Sequence, residues 1–290
     1  MSRSLAVLFG LLTASANAFA VMLQHVASTS GERRGWRWVR DVLRHPLWML
    51  GWLGMLASLV FQAIALHFGP MSLVQPLLVS ELVIALVVRR VWRRQRLSRL
   101  AWLSAVTTGA ALATALAVMD PRGHATVPGS SEWIGALLIT AAVVGGLLVA
   151  ARGAGPARRA ASFATATAVL WALEATFIKS ATDILVGGGV GGLVSSWTLY
   201  ALIVTGVGGL ITEQLALREG PLRVSQPLIV IVDPLASVLY GIGLFHERLS
   251  ATWGPLVVGV VAVAVMCVGV VVMTRVVPET LVPGALPHVP

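Results

Sequence analysis

Apolar residues run along this chain in nine stretches of roughly twenty residues, the length with which an α-helix crosses a bilayer. Short hydrophilic gaps separate the stretches, and no gap is long enough to form a soluble domain. The predicted spans are Ser4–Ala27, Pro46–Leu66, Met71–Val88, Leu100–Met119, Trp133–Ala151, Ala161–Val186, Leu193–Leu217, Leu222–Leu244 and Trp253–Met273. The pattern predicts an all-α integral membrane protein with about nine transmembrane helices.

Composition agrees with this class. The 290 residues are 57% hydrophobic and 11% charged, with a mean hydropathy of +0.86. A net charge of +9 would suggest nucleic acid as the partner of a soluble protein, but here the charge lies almost entirely in the gaps. We therefore expect a lipid bilayer and no nucleic acid as partner. The single Cys267, in a sequence without zinc-like spacing, predicts no disulfide and no cofactor and leaves metal content open.

The arginines are distributed unevenly between the two sides that nine crossings define. On one side lie only Arg3, Arg122 and Arg248. On the other side lie Arg33, Arg34, Arg37, Arg40, Arg44, Arg89, Arg90, Arg93, Arg94, Arg96, Arg99, Arg152, Arg158, Arg159, Arg218, Arg223 and Arg275. The positive-inside rule then predicts an external N-terminus and a cytoplasmic C-terminus, in a plasma membrane of bacterial type.

A cleavable secretory signal is the alternative interpretation of the first span. Arg3, the apolar run after it and the segment Ala16–Ala18 fit that pattern. Its removal would place the arginine-rich gaps outside, against the charge bias, and the apolar run continues to Val26. We therefore expect this segment to be a transmembrane helix.

A repeated motif is the strongest internal signal. The first copy has Ala65, Leu66, Gly69, Pro70, Gln75, Pro76 and Leu77, and the second, 151 residues later, has Ala216, Leu217, Gly220, Pro221, Gln226, Pro227 and Leu228. A carboxylate follows in each copy, Glu81 in the first and Asp233 in the second. Because five predicted helices separate the copies, they would cross the membrane in opposite directions. Inverted repeats of this kind are typical of secondary transporters.

The segment Ala216–Ser250 resembles the last-but-one helix of the EamA-type repeat in the drug/metabolite transporter superfamily. That repeat has an acid-proline pair in mid-helix, here Asp233 and Pro234, and a Glu-Arg-Leu-Ser/Thr turn, here Glu247–Ser250. In the first copy no proline follows Glu81, and Gln-Arg-Leu-Ser stands in place of the turn. The resemblance implies an inverted-repeat bundle that works by alternating access.

Members of this superfamily usually have ten helices with both termini in the cytoplasm. Loss of the first helix would leave nine and an external N-terminus, as the charges indicate. The implied organisation is a four-helix repeat over 1–130, a five-helix repeat over 131–275 and a flexible cytoplasmic tail over 276–290. Nine helices and the segment Leu73–Leu77 are also similar to the NIPA-type magnesium transporters of the same superfamily.

Polar residues within the spans fall on shared helical faces and predict a polar interior. The candidates for substrate binding or ion coupling are Asp233, Glu81, Gln226, Gln75, Tyr240, Lys179, Asp183, Glu174, Asn17 and Gln62. Candidate helix interruptions, which free backbone carbonyls near a transport site, are Pro76, Pro227 and Pro234. Packing between helices is the alternative role for each polar stripe and each proline.

Ionisable residues at membrane depth must be paired, hydrated or neutral. Lys179 is the only lysine, and we expect its partner to be Asp183, one helical turn further along. Asp233 is the first choice for proton coupling because it lies in mid-span, precedes Pro234 and shares a helical face with Gln226 and Tyr240. Glu81 is the second choice, as its near counterpart in the first copy of the motif. Glu213 shares a face with two glycines, so close helix packing is as good an interpretation as ligand contact. The glycine-rich segment 187–192 predicts a flexible external turn.

Together these patterns predict a secondary active transporter of a small metabolite, drug-like solute or ion, with proton coupling as a hypothesis. One alternative is a magnesium or other divalent-cation permease, because carboxylate and amide oxygens suit a hard cation. Another is a membrane scaffold or lipid-handling protein that transports nothing. No nucleophile and base occur at catalytic spacing, so we expect no enzyme. The sequence leaves substrate, direction of transport and oligomeric state open.

Overall fold

A computed structural model describes residues 2–29, 46–92, 98–123, 128–249 and 252–276. Every structural statement below refers to these residues. The arginines between 30 and 45, and all of the predicted 276–290 tail except its first residue, lie outside the described residues.

The described chain is helical almost throughout. The helices are α1 (Ser2–Thr29), α2 (Pro46–Phe68), α3 (Met71–Leu78), α4 (Ser80–Trp92), α5 (Arg99–Met119), α6 (Ser130–Ala151), α7 (Pro156–Ser195), α8 (Trp197–Glu219), α9 (Leu222–Phe245) and α10 (Trp253–Val276). Nine segments in this part of the chain are long and apolar enough to cross a membrane, α3 and α4 together forming one of them. The predictions of an all-α fold and of nine spans are therefore confirmed for the described residues.

Two helices are interrupted. Pro76 lies inside α3, and three residues later the backbone turns at Val79, whose N–H donates to the Pro76 carbonyl over 3.1 Å. The second break is at Gly189 in α7, where φ is 65° and ψ is −171°. This conformation favours glycine because it has no Cβ. The break therefore falls within the segment 187–192 that was predicted to turn. Helical backbone resumes after Gly189 and runs to Ser195, and α8 begins at Trp197 after Ser196.

Helix pairs form the bundle. Helix α1 packs along α2, α7 along α8, and α5 along α10, while α9 packs against both α7 and α3. Helix α6 packs mainly against α7. Large apolar side chains cover the outer surface; Leu53, Val106 and Leu138, for example, are 62%, 63% and 66% exposed. An apolar surface of this extent fits an integral membrane protein.

The three arginines of the sparsely charged side lie together in the structure. Arg3, on α1, and Arg122 both pair with Asp120, at the end of α5. Arg122 and Arg248 form an antiparallel backbone bridge, with N–H···O distances of 2.9 and 2.7 Å. We call this the Arg3 end. The opposite, arginine-rich end carries Arg90, Arg99, Arg152, Arg158, Arg159, Arg218, Arg223 and Arg275.

The ion pairs at the Arg3 end depend on pH. The hydrogen bond from Arg3, followed by that from Arg122, holds the pKa of Asp120 below its usual range. A carboxyl whose pKa is lower in the folded than in the unfolded state stabilises the fold above the unfolded pKa. That contribution is lost as the pH falls through the folded pKa. The Arg3 end is therefore stabilised at neutral pH and weakened by acid.

An aromatic cluster joins α6, α7 and α8 near the Arg3 end. The rings of Trp133 and Phe177 stack at 4.9 Å between centroids, and Trp197 meets both edge to face. Phe177 is fully buried, and Trp133 is 7% exposed. Contacts of this kind stabilise beyond the burial of area. They fix α7, the helix that carries Lys179, relative to its neighbours.

The two Gly-Pro turns of the repeated motif are sites of close backbone approach. A Cβ atom at Gly69 would lie 2.5 Å from the Cβ of Ala6 on α1. A Cβ atom at Gly220 would lie 2.5 Å from the Pro156 carbonyl oxygen and 2.7 Å from the Cβ of Ala160, both on α7. Each glycine therefore lets a helix turn contact the start of another helix.

We expect Gly220→Ala to destabilise the protein by about 1–3 kcal/mol, because the added methyl group would overlap backbone atoms that cannot rotate away. The thermal unfolding midpoint of purified protein in detergent measures this effect. Gly243→Ala, on α9, is the matched control, since a Cβ atom there meets nothing within 4 Å. A Gly220→Ala midpoint equal to that of the control would contradict this packing.

Candidate functional site

A cavity of about 450 Å³ lies inside the bundle, and acidic side chains line it. They are Glu81 of α4, Glu174 of α7, Glu213 of α8 and Asp233 of α9. Four different helices thus direct carboxyl groups into one space. Each carboxyl group avoids hydrocarbon by facing this space, which is the general solution for ionisable residues at membrane depth.

Neutral polar side chains extend the lining. These residues are Thr13, Asn17, Ser58, Gln62, Gln75, Gln226 and Thr274. Asn17 Nδ2 donates to a carboxylate oxygen of Glu81 over 2.8 Å, and Ser237 Oγ donates to Asp233 over 3.3 Å. Glu174 and Glu213 have no hydrogen-bond partner among the described residues. Two of the four carboxyl groups in the cavity therefore accept a side-chain hydrogen bond, and the other two accept none from the described residues.

Two of the acids in the cavity lie next to a helix break or a proline. Glu81 lies in the first turn of α4, directly after the break at Val79, and this break turns the helix at the cavity wall. Asp233 precedes Pro234, which also lines the cavity. Helix α9 continues without interruption through Pro227 and Pro234, so only the first half of the chain has a broken helix at its motif. Pro76 and Pro227 do not line the cavity.

Glu247 is bound inside the bundle near the Arg3 end. Its carboxylate accepts hydrogen bonds from the backbone N–H groups of Met71 and Ser72, over 2.5 and 2.8 Å, and from Ser72 Oγ over 2.6 Å. These N–H groups begin α3, where a helix leaves its first donors unpaired and favours negative charge. Glu247 is 3% exposed. A Cβ atom at Gly241 would overlap the carboxylate, so that glycine makes room for it.

Lys179 binds the other side of the same turn. Its Nζ donates to the carbonyls of Leu66, over 2.7 Å, and Gly69, over 3.1 Å, and it lies 5.4 Å from the centre of the Phe245 ring. The Leu66 carbonyl lies in the last turn of α2 and the Gly69 carbonyl just past its end, where positive charge is favoured. Lys179 is 3% exposed. We call the turn Phe68–Pro70, with Lys179 and Glu247 bonded to its two sides, the latch.

The predicted pair of Lys179 and Asp183 is therefore wrong. Asp183 Oδ1 lies instead 2.7 Å from Nδ1 of His67, at the end of α2. Helical spacing does place the two residues on one face, but the lysine side chain is long enough to reach carbonyls on another helix. Lys179 and Asp183 both contact the end of α2 and do not line the cavity.

Tyr240 also lies away from the cavity. Sequence spacing puts it on the face of Asp233, but its hydroxyl group is 2.5 Å from Oγ1 of Thr140 on α6. Its ring packs against the buried apolar cluster near the Arg3 end. The structure thus brings together Asp233, Glu81, Gln226, Gln75, Glu174, Asn17 and Gln62, and leaves Tyr240, Lys179 and Asp183 outside.

The sequence interpretation missed three residues of the site. Glu213 lines the cavity, although its glycine neighbours suggested packing; Gly209 in fact accommodates the ring of Trp171, and Gly206 approaches Glu174. Trp171 lines the cavity as well. Glu247 could have been found from the Glu-Arg-Leu-Ser turn, where its position was noted without a role. No group of three or more His, Cys, Asp or Glu residues suited to a metal ion occurs within the described ranges.

Comparison with known proteins gives one full-length relative to report. The chain is 28% identical over 278 residues to an uncharacterized protein of Corynebacterium glutamicum, an alignment that covers 94% of this chain and 96% of the relative. No family model matches the chain. No solved structure matches it.

Proposed function

We propose that this protein is a secondary active transporter that moves a small solute across the membrane by alternating access. One observation carries the proposal: a cavity lined by four acids lies inside a membrane-type bundle, with a hydrogen-bonded latch at one end. A buried polar space is costly in a membrane protein, and substrate pathways are the usual reason for one. In this proposal the latch is the end that opens.

The two ends of the bundle differ in a way that suits this mechanism. Toward the arginine-rich end the lining reaches Leu86 of α4 and Thr274, next to Arg275. Toward the Arg3 end the latch and the aromatic cluster close the bundle. We propose that this is a state open toward the arginine-rich side. By the positive-inside rule that side is the cytoplasm, so we propose an inward-facing state.

Helix packing supports an inverted-repeat architecture. Helix α1 packs on α2 as α7 packs on α8, and α9 contacts α7 as α3 and α4 contact α1. Gly69 meets α1 in the first half, and Gly220 meets α7 in the second. Glu81 and Asp233, which follow the two copies of the motif, both line the cavity. These correspondences favour 1–130 and 131–275 as the two repeats, with α6 as the extra helix.

Proton coupling is part of the proposal. A coupling group must face the cavity and change its protonation as access changes sides. Glu81 and Asp233 meet the first requirement, and Glu174 and Glu213 are the other ionisable groups of the described lining. Asn17 and Ser237 donate to the two coupling candidates and would stabilise their ionised forms.

The two alternative functions are a divalent-cation permease and a membrane scaffold or lipid-handling protein, and experiments can distinguish them from the proposed transporter. No feature of the described residues favours the divalent-cation permease specifically. A scaffold or lipid-handling protein would need no latch, and its cavity would not change the side from which it is accessible. Two-sided access is therefore the property to measure.

The latch predicts which substitutions change access. We replace Cys267 by serine, introduce Gln62→Cys in the cavity wall, and label with a membrane-impermeant maleimide in right-side-out and inside-out vesicles. We expect labelling mainly from the arginine-rich side. Lys179→Met and Glu247→Gln each remove charge-assisted hydrogen bonds, so each should increase labelling from the Arg3 side about fivefold or more.

Glu132→Gln is the matched control, because it removes a carboxylate at the same end that pairs with His246 and does not touch the latch. Unfolding midpoints establish that all variants are folded. If labelling from the Arg3 side stays at background in the parent and in both latch variants, alternating access through this end is wrong.

Proton coupling predicts that the ratio of labelling from the two sides depends on pH. We use the ratio because the reactivity of the thiol itself, which also varies with pH, cancels. Glu81→Gln and Asp233→Asn should each reduce this dependence, and the double variant should lose most of it, since fewer carboxyl groups then exchange protons. A double variant that keeps the full pH dependence would assign coupling to other groups.

A further inference from the structure

We propose that the cavity binds an organic cation, consisting of a protonated amine, a neutral hydrogen-bond acceptor beside it, and an apolar body. Recognition of such a molecule rests on the lining alone, whereas its movement across the membrane rests on the proposed function. Charge, an unpaired donor and the apolar wall each define one part of the molecule.

The acidic side chains of the lining indicate that the ligand carries a protonated amine. The described lining contains four carboxyl groups and no lysine, arginine or histidine. An ionised carboxylate without a partner at membrane depth is unfavourable by roughly 3 kcal/mol. Glu174 and Glu213 have neither a salt bridge nor a hydrogen bond within the described part of the chain. A cationic ligand would supply the missing positive charge to the carboxyl groups that are ionised, whereas an anion would be repelled by them.

Gln75 indicates that the ligand also carries a neutral hydrogen-bond acceptor. This residue lines the cavity and is 2% exposed, and its Nε2 has no hydrogen-bond partner among the described residues. A buried amide donor without a partner is unfavourable, so such a group indicates an acceptor that is absent from the free protein. A ligand hydroxyl or carbonyl oxygen fits this position. A ligand carboxylate fits less well, because it would bring negative charge among the acids.

The apolar residues of the cavity wall indicate that the rest of the ligand is apolar. Most of the lining is apolar, including Ile178, Ile229, Leu82 and Met55, and Trp171 presents an aromatic ring. Small-molecule sites have this character, with apolar walls and a few polar groups that fix orientation. The volume of about 450 Å³ is also in the range of such sites. Tryptophan additionally attracts a cation over its face.

Four matched probes test this recognition by calorimetry on purified full-length protein in detergent. Phenylalaninol is a cation with a hydroxyl acceptor, and phenethylamine is a similar cation that lacks it. N-acetylphenylalaninol is the neutral counterpart, and N-acetylphenylalanine is an anion. We expect phenylalaninol to bind most tightly, with the neutral compound weaker by about tenfold or more and the anion weaker still.

Three variants assign the parts of the site. Asp233→Asn and Glu174→Gln, which keep side-chain shape, should each weaken both cations about tenfold and leave the neutral compound unchanged. Gln75→Met should reduce the preference for phenylalaninol over phenethylamine without changing the affinity of phenethylamine. Glu132→Gln, whose carboxylate lies outside the cavity, is the control, and unfolding midpoints establish that each variant is folded.

Equal binding of the cation and its neutral counterpart would overturn the proposal, and so would the absence of binding by both cations to folded protein. Cation binding that is indifferent to both acid variants would also overturn it. These outcomes are independent of the access experiment. If the protein prefers cations but Gln62→Cys is never labelled from the Arg3 side, the cation site is supported and the transport proposal is wrong. If access is two-sided but cations are not preferred, the transport proposal is supported and the cation site is wrong.

Discussion

Two buried charges hold one turn, and the closed end of the bundle depends on them. The turn between α2 and α3 leaves carbonyls at the end of one helix and N–H groups at the start of the next, all inside protein where water cannot pair them. Lys179 binds the carbonyls and Glu247 binds the N–H groups, so each charge meets the helix end of opposite polarity. Neither charge needs the other as its direct partner.

The sequence predicted the spans well and the pairing of charges poorly, for different physical reasons. A helix must be apolar over a bilayer thickness, and that requirement is local, so α5 and α10 could be predicted within a few residues. The partner of Lys179 is set by the tertiary approach of α2 to α7. Helical spacing offered Asp183, but it contains no information on the carbonyls of Leu66 and Gly69.

The same difference between local pattern and tertiary packing explains which residues of the cavity could be predicted. Glu81 and Asp233 could be predicted because a repeated motif precedes each of them, and Asn17 and Gln62 because they lie on polar stripes. For Glu213 the sequence left packing and ligand contact open, because the residue shares a face with two glycines, and those glycines accommodate Glu174 and Trp171 from α7. Whether a polar residue faces a cavity depends on the neighbouring helix as much as on its own.

The latch also determines the charge of the cavity. Lys179 follows Ile178, which lines the cavity, so the only lysine of the chain is one residue from the acidic wall. Because its Nζ is bound to the end of α2, it does not neutralise the carboxyl groups. In this structure the described lining therefore carries four carboxyl groups and no cationic side chain. In the transport cycle proposed above, opening of the latch would free Lys179 beside the acids, so access at the Arg3 end and binding of the proposed cation would be linked.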